Sequence, residues 1–123
     1  MDSSGILAAA AQQGMQRVST VEEAAAVSAF LLQAGLFGTP LTPGEQEEFG
    51  TRPGVTLGRE DDTYWFVRNA QGAIIGVLGV RMNSERTGIY EVSVLAVHSS
   101  GRQRGLGRRL LGLGRWYGEE IGG

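Results

Sequence analysis

Residues 97–111, Val-His-Ser-Ser-Gly-Arg-Gln-Arg-Gly-Leu-Gly-Arg-Arg-Leu-Leu, join an apolar strand to an apolar helix through a turn made of glycine and arginine. The start of a helix carries several unpaired backbone N–H groups and the positive end of the helix dipole. Glycines at 105 and 107 put no side chain between those amides and a ligand. Arg102, Arg104, Arg108 and Arg109 add fixed positive charge at the same place. This combination reads as a phosphate or pyrophosphate cradle. The plainer alternative is a helix start with glycine for tight packing and arginine for solubility. A Walker loop is excluded because it needs a lysine and this chain has none. A dinucleotide fingerprint starting at Gly105 would require glycine at position 110, where Leu110 stands.

The order of residues narrows the reading. Arg102-Gln103-Arg104-Gly105-Leu106-Gly107 is similar to the Arg/Gln-x-x-Gly-x-Gly/Ala signature of the GNAT superfamily of N-acetyltransferases. Leu95-Ala96-Val97 resembles the strand before that signature, and Leu110-Leu111 the helix behind it. Residues 65–76, from Trp65 through Asn69 and Gly72 to Gly76, resemble the family's preceding strand–turn–strand. The resemblance covers roughly residues 15–120. It implies a three-layer α/β/α domain with a mixed, mostly antiparallel sheet.

Composition bounds the alternatives. A chain of 123 residues suits one domain with a real core. Residues 15–123 are expected to form that domain, with 1–14 an extension that frays or makes a short helix. It has no run long and apolar enough to span a membrane. Ile6–Ala11 is apolar but short and preceded by an acid, unlike a signal peptide. Without cysteine there is no disulfide, thiolate nucleophile or Cys-ligated metal, and a single histidine, His98, argues against a His-based metal site. The expectation is a cytoplasmic protein without a metal. Residues 92–118 hold five arginines and no acid, so the remainder of a chain of net charge −2 carries −7. A basic patch in an acidic protein suits a small anionic ligand better than a nucleic-acid backbone.

Local signals give the order β-α-α-β-β-β-α. Met15–Ser19 is strand-like. Thr20 and Glu23 have capping-box spacing, and the helix they open reads from Val21 to Ala34, stopped by Gly35. Thr42, Pro43 and Glu45 open a second helix that Gly50 should end. Thr63–Arg68, Ala73–Met82 and Ile89–His98 read as strands. The second is apolar throughout, as a central strand covered on both faces should be. The last helix reads from about Arg102 to Glu120, with Leu106, Leu110, Leu113 and Tyr117 on one face and Gly112 and Gly114 weakening it. Trp65, Phe66 and Phe30 read as core.

The resemblance also implies a chemistry: direct transfer of an acyl group from acyl-coenzyme A to an amine, with no covalent enzyme intermediate. The backbone of Leu95, Ala96 and Val97 would hold the pantetheine arm. Residues 102–108, Arg102, Gln103, Arg104, Gly105, Leu106, Gly107 and Arg108, would hold the pyrophosphate. Glu91 is the candidate proton acceptor, because by a period of two it shares a face with Leu95 and Val97. Its alternative role is a simple ion pair with an arginine. His98 reads as a surface histidine, and the region 36–50, with Glu45, Glu47 and Glu48, as either a solvated helix face or part of the acceptor site. The acceptor is expected to be a small amine, a peptide N-terminus or a lysine. Family members continue with a further strand and helix beyond this point. The chain is therefore read as cut short or as completed by a partner or second copy. A homodimer through the open sheet edge follows from the same reading. A non-catalytic CoA-binding or regulatory module is the other function considered.

Overall fold

Strands β2 (Asp62–Arg68) and β3 (Ile74–Met82) are the inner pair of a four-stranded sheet ordered β1-β2-β3-β4, with β1 at Met15–Arg17 and β4 at Tyr90–Val97. Every pairing is antiparallel. The computed structural model describes residues 4–12, 14–33, 36–82, 89–99 and 105–119. Within them the helices are α1 (Ser4–Gln12), α2 (Val21–Leu31), α3 (Pro43–Val55) and α4 (Leu106–Tyr117).

Alternation along the inner strands builds a core on each face. Tyr64, Phe66 and Val77 point to one side, where Val27, Phe30 and Leu31 of α2 and Phe49 of α3 close over them. Trp65, Val67, Leu78 and Val80 point to the other, against Leu106, Leu110, Leu113 and Tyr117 of α4 and Ala10 of α1. The three layers expected from the sequence are present, and Ser4–Gln12 is helical. Trp65 is fully buried, and its indole N–H donates to Thr63 Oγ1 at 3.0 Å. Tyr117 packs edge-on against both Trp65 and Tyr90 and donates its hydroxyl to the Glu60 carbonyl at 2.6 Å, fixing the far end of α4.

Both predicted capping boxes form. Thr20 Oγ1 accepts from Glu23 N–H at 3.1 Å and Thr42 Oγ1 from Glu45 N–H at 3.1 Å, and each glutamate reaches back to its cap's amide. The other ends differ from expectation. Strand β1 stops at Arg17 rather than Ser19, and α2 ends at Leu31 rather than Ala34, with Leu32 as its cap. Helix α3 runs past Gly50 to Val55 and contains Pro53. Phe49 and Pro53 lie one turn apart and are both buried, so core packing on that face outweighs the breaking tendencies of glycine and proline.

Glycine has one specific use in the α4 layer. A Cβ on Gly76 would stand 3.0 Å from Leu106 Cδ2, whereas one on Gly114 would make ordinary contact with Leu78 at 3.4 Å. Gly114 is therefore a weakness in the helix, as the sequence suggests. Gly112 faces open space and is another.

The pairing of β3 with β4 has an irregularity that matters for the site. Gly79 pairs with Val94, but the next pair is Val80 with Val92, so Ser93 is an extra residue in β4. This is a β-bulge. Gly79 makes it possible, since a Cβ there would lie 2.4 Å from Ser93 Oγ and 2.9 Å from Val94 Cγ1. Gly79→Ala should therefore destabilise the fold by about 1–3 kcal/mol. The exposed Gly112→Ala should stabilise it by up to about 1 kcal/mol. Urea midpoints of the two variants check this, and equal shifts of one sign would contradict the packing described.

Candidate functional site

The predicted site residues fall into two groups in space. Leu95, Ala96 and Val97 are consecutive in β4, which is the last strand of the sheet, so its outer side has no strand against it among the described residues. Ala96 is buried towards α2 and α3, while Leu95 and Val97 pack towards α4. The His98 N–H donates to the Ile75 carbonyl at 2.8 Å and closes the end of the strand.

Helix α4 begins beside that end. Gly105 is its N-cap in the left-handed conformation, with φ 68°, and offers no side-chain cap. At the start of α4 the Arg109 N–H donates to the Gly105 carbonyl at 3.2 Å. The amides of Leu106, Gly107 and Arg108 precede it. Leu106 is buried over Gly76, which holds the turn against the sheet. A Cβ on Gly107 would meet only Val97 Cγ2, at 3.8 Å, so this position is tied to the end of β4 without being filled. Arg108 and Arg109 are exposed in the first turn, which contains no acid. Arg102, Gln103 and Arg104 lie outside the described residues. Where α2 and α3 answer their own dipoles with a capping glutamate, α4 has no side-chain cap among the described residues and carries positive charge in its first turn. Such an end is chemically suited to an anion.

Glu91 requires a correction. The extra residue at Ser93 reverses the alternation, so Glu91 does not share a face with Leu95 and Val97. It lies on the α2–α3 side, where its register partner Arg81 also points. Arg81 Nε approaches Glu91 Oε1 at 3.5 Å, and Arg81 Nη1 approaches Glu48 Oε1 of α3 at 3.4 Å. The ion pair considered as an alternative for Glu91 is thus present. Of the three glutamates in the 36–50 region, Glu45 caps its helix and Glu48 joins Arg81.

Residues not singled out from the sequence complete this second group. Asp62 pairs with Arg81 in register and is bound through Oδ2 by Arg52 of α3. Arg59 holds Asp61 through two contacts of 2.9 Å, and the arginine keeps that carboxyl below its ordinary range. Arg52, Arg59, Asp61, Asp62, Arg81, Met82 and Glu91 line a cavity of about 490 Å³. Burial, reinforced by Asp62 and Glu48, pushes the Tyr64 phenol up to about 12. The one sequence signal for this cluster was the acidic run Glu60-Asp61-Asp62 entering an otherwise apolar strand. Among the described residues no group of His, Asp or Glu could hold a metal ion, and no helix is long and apolar enough to cross a membrane.

Comparison with known proteins addresses the fold and the family. The model of the acetyltransferase (GNAT) family matches residues 32–117. A Desulfovibrio desulfuricans structure assigned to the GNAT family superposes with a TM-score of 0.71 at 20% identity, over 89% of this chain and 67% of that one. A GNAT-family acetyltransferase from Staphylococcus aureus Mu50 gives 0.67 at 14% identity, over 87% and 68%. A further Staphylococcus aureus chain assigned to the family gives 0.58 at 17% identity, over 85% and 90%. At these identities the likeness is one of fold. No curated protein matches the chain.

The raised tyrosines give a pH dependence with a definite sign. Burial also pushes Tyr117 up to about 12 from its ordinary 10.0. The unfolded chain thus releases these phenolic protons first as pH rises. The stability contributed by keeping them neutral is whole below pH 10 and falls away between about 10 and 12. Tyr64→Phe should flatten part of that fall. Urea midpoints at roughly pH 9 and 11 check it, and an undiminished fall in the variant would assign the effect elsewhere.

Proposed function

The chain belongs to the acetyltransferase (GNAT) family, and on that basis we propose that it transfers an acyl group, acetyl in the simplest case, directly from coenzyme A to an amine. The observation that carries the cofactor part is the start of α4: no side-chain cap among the described residues, no acid in the first turn, and an open Gly107 next to the end of β4. The residues present fit a pyrophosphate there. Backbone amides from 103 to 108 would hold it, with Arg102, Arg104 and Arg108 neutralising its charge. The outer side of β4 at Leu95, Ala96 and Val97, which has no further strand against it among the described residues, would take the pantetheine arm as a strand takes a neighbour. A second copy pairing along the same edge would use the same backbone groups, so a homodimer through β4 and a bound arm are alternatives.

When bound, the thioester supplies an activated acyl carbonyl. The chain's own residues must then orient it, position the amine and accept a proton. Position on β4 supports Glu91 as the proton acceptor, working through water from the α2–α3 side. The acceptor would be a small amine, a peptide N-terminus or a lysine approaching between β4 and α3.

Acetyl-CoA at a hundred times its dissociation constant should stabilise the protein by about 2.7 kcal/mol, read as a thermal shift. Gly107→Val should remove that shift by covering the amides, because a Cβ at 107 has room within the fold. Gly112→Ala should keep it. Absence of any shift in the folded protein at millimolar acetyl-CoA would refute the cofactor site. Glu91→Gln should lower kcat roughly 10²-fold or more while leaving the acetyl-CoA shift in place. Binding without turnover on any amine would select a non-catalytic CoA-binding module instead.

A further inference from the structure

A cavity of about 630 Å³ lies between the end of α2 and the start of α3, a size typical of small-molecule sites. Leu32, Phe37, Pro40 and Leu41 form its apolar wall, and among the described residues none that lines it carries a charge. The cavity beside Glu91, by contrast, is lined by arginines and acids. The same neutrality marks the sequence, where Ala24 to Gly44 is the longest run in the chain without a charged residue. Leu32 and Phe37 are 41% and 36% exposed, and both line this one concavity. Single exposed apolar side chains need no explanation, but two that converge on an uncharged hollow mark a surface suited to an apolar guest.

The wall is in place before any guest arrives. Phe37 stacks on the buried Phe49, with ring centroids 5.5 Å apart and planes 18° from parallel, so its ring is held as a fixed plane. Gln46 Nε2 donates to the Leu41 carbonyl at 3.1 Å and ties the first turn of α3 to the segment before it. Gly38 turns that segment in the left-handed conformation, with φ 78°. A ring already fixed costs little further ordering on binding, and aromatic rings add to one another in offset or edge-on stacks. Leu41 packs on the core that Val94 and Ala96 of β4 join, so the cavity lies on the same side of the sheet as Glu91.

We propose that this cavity holds an uncharged aromatic ring carried by the acceptor amine. The inference rests on the acyltransferase reading for the amine and on the cavity alone for the ring. A charged side group would leave water for a lining that offers it no counter-charge. A short alkylamine would leave the apolar wall uncovered.

The test is binding to the intact chain, followed by NMR shifts of backbone and side-chain amides, using 2-phenylethylamine, 2-phenylethanol and ethylamine. Both ring compounds should shift the signals of Gly38, Thr39 and Gln46, and ethylamine should not. Phe37→Leu keeps apolar bulk but removes the ring, and should weaken both at least threefold. Because Phe37 also packs on Phe49, its variant can disturb the core, so the exposed Leu32→Gln provides a second arm and should weaken both compounds too. Leu111→Gln, exposed on α4 in the opposite layer, should change nothing. With acetyl-CoA present, 2-phenylethylamine should be acetylated with a kcat/KM at least about tenfold above that of ethylamine. No shift at these residues with either ring compound, or equal kcat/KM for the two amines, overturns the proposal and leaves the acyltransferase reading standing. Ring binding at the cavity without any thermal shift by acetyl-CoA overturns the acyltransferase reading, and with it the amine half of the proposal, while the ring half stands.

Discussion

Ser93 has no partner position on β3, and the direction of every earlier side chain in β4 follows from that. Without the extra residue, Glu91 would lie under α4 beside Leu95 and Val97, and Tyr90 would lie under α3. With it, Tyr90 joins Tyr117 and Trp65 in one core, and Glu91 meets Arg81 and Glu48 on the opposite face. The bulge in turn needs Gly79, because any Cβ there would collide with Ser93 and Val94. One missing side chain on β3 therefore decides which chemistry each half of β4 offers. The later half presents backbone at the last strand of the described sheet, and the earlier half presents a carboxylate to the α3 side.

The helices divide the same way. Helices α2 and α3 satisfy their own N-termini with capping boxes and bury ordinary apolar faces. Helix α4 leaves its start uncapped and is held instead by Leu106 over Gly76 and by Tyr117 against Glu60. Its position is fixed by packing along its length and at its far end.

The charged row under α3 shows a different compromise. A buried aspartate with one unmet oxygen lowers stability, and its neighbours offset this only in part. The cost falls where three strands bring their charged ends to one level. The surrounding sheet is otherwise apolar on both faces.

Much of this was legible in the chain itself. Thr20–Glu23 and Thr42–Glu45 marked two helix starts because capping is a contact across three residues. The apolar run of β3 marked an inner strand, and Gly105 and Gly107 marked the start of a helix, because these signals lie within a few neighbouring positions. The failures were of another kind. Gly50 looked like a helix end, yet Phe49 and Pro53 find a common core and carry α3 onward. Glu91 was assigned a face by strict alternation, and the bulge that reverses it depends on Gly79, fourteen residues away in sequence and directly opposite in space. Asp62 and Arg81 were not singled out from the sequence, and Glu91 stood out only as a carboxylate on β4. Register alone places them side by side, and register is settled by burying the inner strands on both faces at once, a condition that no local stretch of sequence contains.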